Sequence, residues 1–190
     1  MGINFSAVID HQLSLSEITK LVELLRLEWA VPESPLRAIP PMPGSSEWDW
    51  DLLPLYENAE LELKMEGNVE FDGPIDLHGT VFKRAVIIGS AVRWNTFIGQ
   101  NNMQNILRNT IKRIALLVKS KCVVYLPDFI SSGNSTKFLY EGGGIECMLK
   151  SLKSYGSSAP SLDAVKKAWE EDLENDQYYI ENIPSSINAG

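Results

Sequence analysis

The chain has 190 residues, 44% of them hydrophobic and 22% charged, and a net charge of −8. That length and composition suit one globular domain whose core needs neither disulfides nor a structural metal, and they exclude collagen-like, low-complexity and disulfide-scaffold classes. No apolar run reaches the roughly 20 residues a membrane helix needs.

Asn4 to Ile9 alternates weakly and reads as a first strand ending at Asp10-His11. The opening Met1-Gly-Ile-Asn-Phe-Ser6 also fits the loose myristoylation pattern, but the strand reading is preferred. No basic region is followed by an apolar core, so no secretory signal is expected and the chain is placed in the cytoplasm. Ser14-Leu-Ser-Glu17 is a capping box that opens a first helix, with Leu15, Ile18, Val22, Leu25 and Trp29 on its core face.

Residues 31–58 form a long irregular segment. Pro32, Pro35, Pro40, Pro41 and Pro43 forbid a regular helix there. Trp48 and Trp50 stand there among carboxylates, either pinning the segment to the domain or offering a partner-binding edge. Alternation from Leu61 to Phe71, broken at Gly67-Asn68, predicts a hairpin. A second strand pair follows from Ile75 to Ile88.

Arg84 to Asp128 reads as strand, loop, long helix and buried strand. It predicts a βαβ unit with two parallel strands. Met103, Ile106, Leu107, Ile111, Ile114, Leu117 and Val118 share one half of the helix circumference, and Leu116 breaks the stripe. Asp128 to Ser135 reads as a polar loop. Ile145, Met148, Leu149, Leu152 and Tyr155 mark the next helix, stopped by Gly156. Ser161 caps a last one carrying Leu162, Val165, Trp169 and Leu173. The fold expected is therefore α+β or α/β: a single domain over 1–187 with a mixed sheet, and a disordered tail at 188–190.

The charge layout is uneven. Residues 77–127 contain no Asp or Glu but carry Lys83, Arg84, Arg93, Arg108, Lys112, Arg113, Lys119 and Lys121. Two readings follow: the basic face packs near the acidic C-terminal third of the chain, or it meets an external anion. Pairing is preferred. Nucleic-acid binding is disfavoured, because no aromatics interleave the basic face and the chain as a whole is acidic.

In a parallel sheet, ligands gather outside the carboxyl ends of the strands. That rim would hold Arg93, Trp94, Asn95 and Asp128 as ligand-binding residues. Were the first strand parallel to the others, Asp10 and His11 would join Arg93 and Asp128 as an acid–base group. The structural alternatives are that Asp128 is a turn residue and that Arg93 braces it. Gly142 to Gly144 lacks the Lys-Ser/Thr of a P-loop and the spacing of a dinucleotide loop. His78 lies between strands without a metal-spaced partner. Cys122 and Cys147 fall in apolar segments and read as buried thiols, and no Cys/His cluster has zinc spacing. No metal or cofactor is expected.

Arg93-Trp94, Phe97, the amphipathic helix, the strand ending Leu126-Pro-Asp128, and Tyr140-Glu-Gly with Ile145-Glu-Cys-Met-Leu149 resemble a family of uncharacterised bacterial proteins over roughly the C-terminal half. The resemblance implies no activity and transfers no functional residue. By size and charge alone the chain is also similar to bacterial immunity proteins. The leading expectation is a binding or interaction protein, of the immunity type, whose acidic Trp48/Trp50 segment and C-terminal helix face a basic partner. The alternative is a small hydrolase or anion-binding enzyme at the Asp10/His11/Arg93/Asp128 rim. Whether the chain is an enzyme, and its oligomeric state, are left open by the sequence.

Overall fold

The computed structural model describes residues 3–18, 20–30, 52–54, 69–73, 77–128, 130–140, 142–173 and 177–184. Among these residues one sheet runs in the order β2 (Leu52–Pro54), β3 (Val69–Gly73), β4 (Leu77–Val81), β5 (Ala85–Arg93), β1 (Asn4–Asp10), β6 (Cys122–Pro127) and β7 (Tyr179–Asn182). The helices are α1 (Leu15–Ile18), α2 (Leu21–Ala30), α3 (Trp94–Gly99), α4 (Asn101–Leu117), α5 (Ile130–Tyr140), α6 (Ile145–Leu152) and α7 (Leu162–Glu171). The α+β class expected from the sequence is what the chain adopts, but all strand pairs among the described residues are antiparallel, so the sheet is not the mixed one expected.

The expected βαβ unit is present in a split form. β1 is antiparallel to both β5 and β6, so those two strands run the same way, but β1 lies between them. The sequence of β1 explains its central place. Phe5, Ala7 and Ile9 point to one face, Val8 points to the other, and all four are buried. A strand wetted on neither face belongs inside a sheet.

Each face carries its own core. On the first, Phe5, Ala7, Ile9, Val86, Ile88, Val123 and Tyr125 meet the N-terminal helices, α3, α4 and α7. Phe97 anchors this core, with ring centroids 4.4 Å from Phe5, 5.4 Å from Trp94 and 5.6 Å from Tyr125. On the second, Val8, Val124 and Leu126 meet Leu139 of α5 and Ile145, Met148 and Leu152 of α6.

The α4 stripe behaves as its spacing predicts. Leu107, Ile111, Ile114 and Val118 are buried, Met103, Ile106 and Leu117 are partly buried, and Leu116 is 40% exposed. The helix ends in a Schellman pattern: Ser120 N–H donates to Ala115 O at 2.8 Å and Lys119 N–H to Leu116 O at 3.2 Å. Lys119 takes the left-handed position (φ 60°) usually given to glycine. Its ammonium reaches Glu17 Oε1 at 2.8 Å, which holds the Glu17 carboxyl down to about 2 together with the Ser14 amide and hydroxyl. The Ser14–Glu17 box forms as a reach-back, with Ser14 N–H donating to Glu17 Oε2 at 2.8 Å.

The basic stretch is largely neutralised within the chain. Arg108 and Lys112 both pair with Glu181, Arg113 with Glu28, Lys119 with Glu17 and Arg84 with Glu146. Glu146 and Glu181 lie in the C-terminal third, where pairing was expected, but Glu17 and Glu28 lie in the N-terminal helices, so the stretch pairs with both ends of the chain.

Several expectations are corrected. Asp128 to Ser135 is not a loop, because Ile130 begins α5. Its serines, glycine and asparagine are poor helix formers, but packing on α6 overrides propensity. Leu139 and Ser135 are buried, and the Ser135 hydroxyl bonds to that of Ser151 at 3.1 Å. Tyr155 and Leu173 lie beyond the ends of their helices and are exposed, and Cys147 is exposed rather than buried. The irregular reading of 31–58 (β2 apart), Trp48, Trp50 and the tail at 188–190 lie outside the described residues.

Candidate functional site

The antiparallel placement of β1 divides the four candidate acid–base residues between opposite ends of the sheet. Asn4 pairs with Arg93 at one end and Asp10 with Ala85 at the other. Six residues of strand put these ends about 20 Å apart. The expected convergence of Asp10 and His11 with Arg93 and Asp128 does not occur.

At the far end, Asp10 and His11 form a structural clasp. Asp10 Oδ1 lies 2.5 Å from the Ser120 hydroxyl and accepts Lys121 N–H at 3.0 Å. The same hydroxyl lies 2.7 Å from Cys122 O, so one proton serves two acceptors. His11 is buried, with Nε2 2.6 Å from Phe82 O and Nδ1 accepting Leu13 N–H at 3.2 Å. Both ring nitrogens are thereby committed to backbone, and the neutral Nε2–H tautomer satisfies both bonds. Nearby, burial pushes the Cys122 thiol up to about 11, far from a nucleophilic thiolate.

Burial lowers the His11 pKa, opposed by the Phe82 carbonyl and Asp10. Because the folded value lies below the ordinary 6.5, the unfolded chain takes up this proton first. The contribution is complete above 6.5 and is lost as pH falls toward the folded-state value. We expect Tm to drop as pH falls from about 7 to about 5, and His11→Gln to flatten that drop. An identical pH slope in the variant would show that His11 is not its source.

At the near end, Arg93 and Asp128 do share a rim, but Arg93 does not brace Asp128. Its guanidinium donates to Asn4 Oδ1 at 2.9 Å, while Asp128 N–H donates to Asn4 O at 2.8 Å. Asp128 makes no ion pair or side-chain hydrogen bond among the described residues. Trp94 is turned into the core and fully buried, so it cannot touch a ligand at the rim. Asn95 is exposed on α3, away from the residues that line the hollow described next.

Among the described residues, the sheet face under α5 is left partly open beside this rim, and there a hollow of about 210 Å³ forms. Its floor follows from strand register. His78, Gly89, Ser6 and Leu126 stand in one row across β4, β5, β1 and β6. Glycine and serine in the middle of that row leave a dip where larger side chains would make a ridge. The His78 ring lies over Gly89, so closely that a Cβ at position 89 would collide with it. Thr80 and Ile87 belong to the next row, Thr136 of α5 makes a wall, and Asn4, Ser90 and Asp128 edge the opening.

A register shift between Asn4 and Ser6 marks a bulge opposite β5. There the Ser90 hydroxyl accepts Val92 N–H at 3.2 Å. Bulges of this kind re-aim side chains next to sites.

His78, expected only as a residue between strands, therefore stands on β4 and enters the groove. The signal was present in the alternation: Ser6, His78, Thr80 and Gly89 are the small or polar members of strands whose other faces are apolar. The glycine run offers no anion cradle. Gly142 N–H and Gly143 N–H close α5 on Leu139 O (3.1 Å) and Phe138 O (2.8 Å). Among the described residues no group of three His, Cys, Asp or Glu side chains is placed to hold a metal ion, and no helix is long and apolar enough to cross a membrane.

Comparison with protein-family models, curated proteins and solved structures finds no match to this chain.

Proposed function

We propose that the chain is a binding protein, an interaction protein of the inhibitor type, and that the groove on the open half of the sheet is its binding surface. The observation that carries this reading is the composition of the groove. It gathers hydroxyls, an imidazole, an amide and one carboxylate around a floor of His78, Gly89, Ser6 and Leu126. A Ser–His–Asp or His–Asp device needs the carboxylate bonded to the imidazole, and Asp128 makes no such bond among the described residues. Asp10 and His11, the other half of the hydrolase reading, are locked in the clasp at the opposite end. An excess of acid over base in the chain, with much of the basic stretch paired internally, favours a basic partner.

The test is a thermal-shift screen of wild type and Gly89→Ala against small amines, basic and acidic peptides, sugars, phosphate and nucleotides. Gly89→Ala displaces the His78 ring from the floor without changing charge. A ligand at about a hundredfold its Kd adds roughly 2.7 kcal/mol, a shift of about 5–10 °C for a chain of this size. We expect a wild-type shift that Gly89→Ala loses while still melting cooperatively. A shift retained in full by the folded variant would place binding elsewhere.

A further inference from the structure

We propose that the groove receives one cationic side chain, lysine or arginine, projected by a basic polypeptide partner. The inference rests on the reading of the groove as the binding surface and adds the class of its occupant. Its first support is charge. The groove lining includes Asp128 and, among the described residues, no Lys or Arg. Arg93, the cation at this rim, donates to Asn4 Oδ1 rather than to Asp128. Arg93 and Asp128 make no ion pair with each other among the described residues.

The second support is Asp128 itself. Pro127 fixes the backbone before it, and its own N–H is anchored on Asn4 O, so the residue is held at the lip while its side chain is exposed. A carboxylate with no side-chain partner among the described residues is matched by an ammonium or guanidinium, whose charge-assisted hydrogen bonds are the strong ones. Further acceptors stand on the floor and wall, since a hydroxyl retains acceptor capacity after donating once. They belong to Ser6, Thr80 and Thr136.

The third support is shape. A hollow of about 210 Å³ is smaller than the pockets that enclose drug-sized molecules, which run from roughly 300 to 1,000 Å³. It suits a single side chain. Ile87 and Leu126 offer apolar contact to the methylene stem while the charged end stays at the wet rim beside Asp128. The net charge of −8 would steer a basic partner toward the chain.

The experiment is an amide NMR titration of the whole chain with a short lysine-containing peptide, its Lys→Gln analogue and its Lys→Glu analogue. It is run on wild type and on Asp128→Asn, whose backbone anchor is unchanged. We expect the lysine peptide to shift the amides of Ser6, Gly89 and Leu126. The Gln analogue, and the lysine peptide on Asp128→Asn, should each bind about tenfold more weakly or worse. Added salt should weaken the wild-type complex. If the Gln or Glu peptide shifts the same amides as tightly as the lysine peptide, the cationic class is wrong and the groove reading survives. If the lysine peptide shifts amides elsewhere, or Asp128→Asn binds it as wild type does, the inference is overturned. If none of the peptides, and nothing in the thermal-shift screen, perturbs these amides, both readings fall.

Discussion

Ile111→Asp is expected to abolish cooperative folding. Ile111 is fully buried on α4 and packs in the core beneath β1 and β6. Removing a buried isoleucine side chain costs about 2–5 kcal/mol before any charge is added. An unpaired carboxylate in that core adds several kcal/mol more. The sum rivals the 5–15 kcal/mol that typically separates folded from unfolded domains. Far-UV circular dichroism should show no cooperative melt. Leu116→Asp, on the same helix but 40% exposed, should stay within about 0.5 kcal/mol of wild type. Equal tolerance of both substitutions would mean that α4 is not the element holding the first core.

Glu181→Ala is expected to give the largest loss among the polar substitutions. Glu181 is 9% exposed on β7. It accepts from Arg108 Nη2 at 2.6 Å, Lys112 Nζ at 2.6 Å and the Tyr125 hydroxyl at 3.0 Å. Its removal strands a half-buried guanidinium and a buried phenol. Breaking a buried pair costs about 3–5 kcal/mol. Arg108 and Lys112 are partly wet, which reduces the expected loss to about 2–4 kcal/mol. Urea denaturation should read this as a lower midpoint. Glu181→Gln with Tyr125→Phe should recover part of the loss, because fewer groups are left unsatisfied.

The same carboxylate sets a pH dependence. Burial pushes its pKa up, but the hydrogen bonds and charges of Arg108 and Lys112 outweigh burial and hold it below the ordinary value of 4.5. The stabilisation is therefore complete above 4.5 and is lost as pH falls through the lower folded-state value. Glu181→Gln should lose that acid slope, and an unchanged slope would assign it to other carboxylates.

The parts of the fold governed by local periodicity were legible in the sequence. The α4 stripe, the Ser161 cap, with Ala164 N–H donating to the Ser161 hydroxyl at 3.1 Å, and the apolar runs of β5 and β6 are each fixed within a few residues. Strand neighbours were not legible, because they depend on contacts between segments far apart in the chain. Nothing local in Asn4–Asp10 says that it will separate β5 from β6, or that it will run against both. That single fact moved Asp10 and His11 away from the rim. Asp128 and Arg93 stayed at the rim because they end strands that run the same way. Trp94 was misplaced because an indole after a strand reads equally well as a loop residue or as the first turn of a helix facing the core. α5 was missed because its packing on α6, not its own residues, makes it helical.

β1 has a consequence for the order in which this chain can be assembled. Its neighbours are Ala85 to Arg93 on one side and Val123 to Pro127 on the other. As the chain emerges during synthesis, β1 is made well before either of its partners and waits for them. Until Cys122–Pro127 is available, the central slot of the sheet has one wall, and Phe5, Val8 and Ile9 have incomplete cover. Closing such distant pairings makes folding slow relative to helical domains of equal stability. It also makes the N-terminal strand a wedge rather than a margin: cutting back to Asp10 would split one sheet into two. Trimming β7, at the sheet's edge, would remove a border and leave the middle joined.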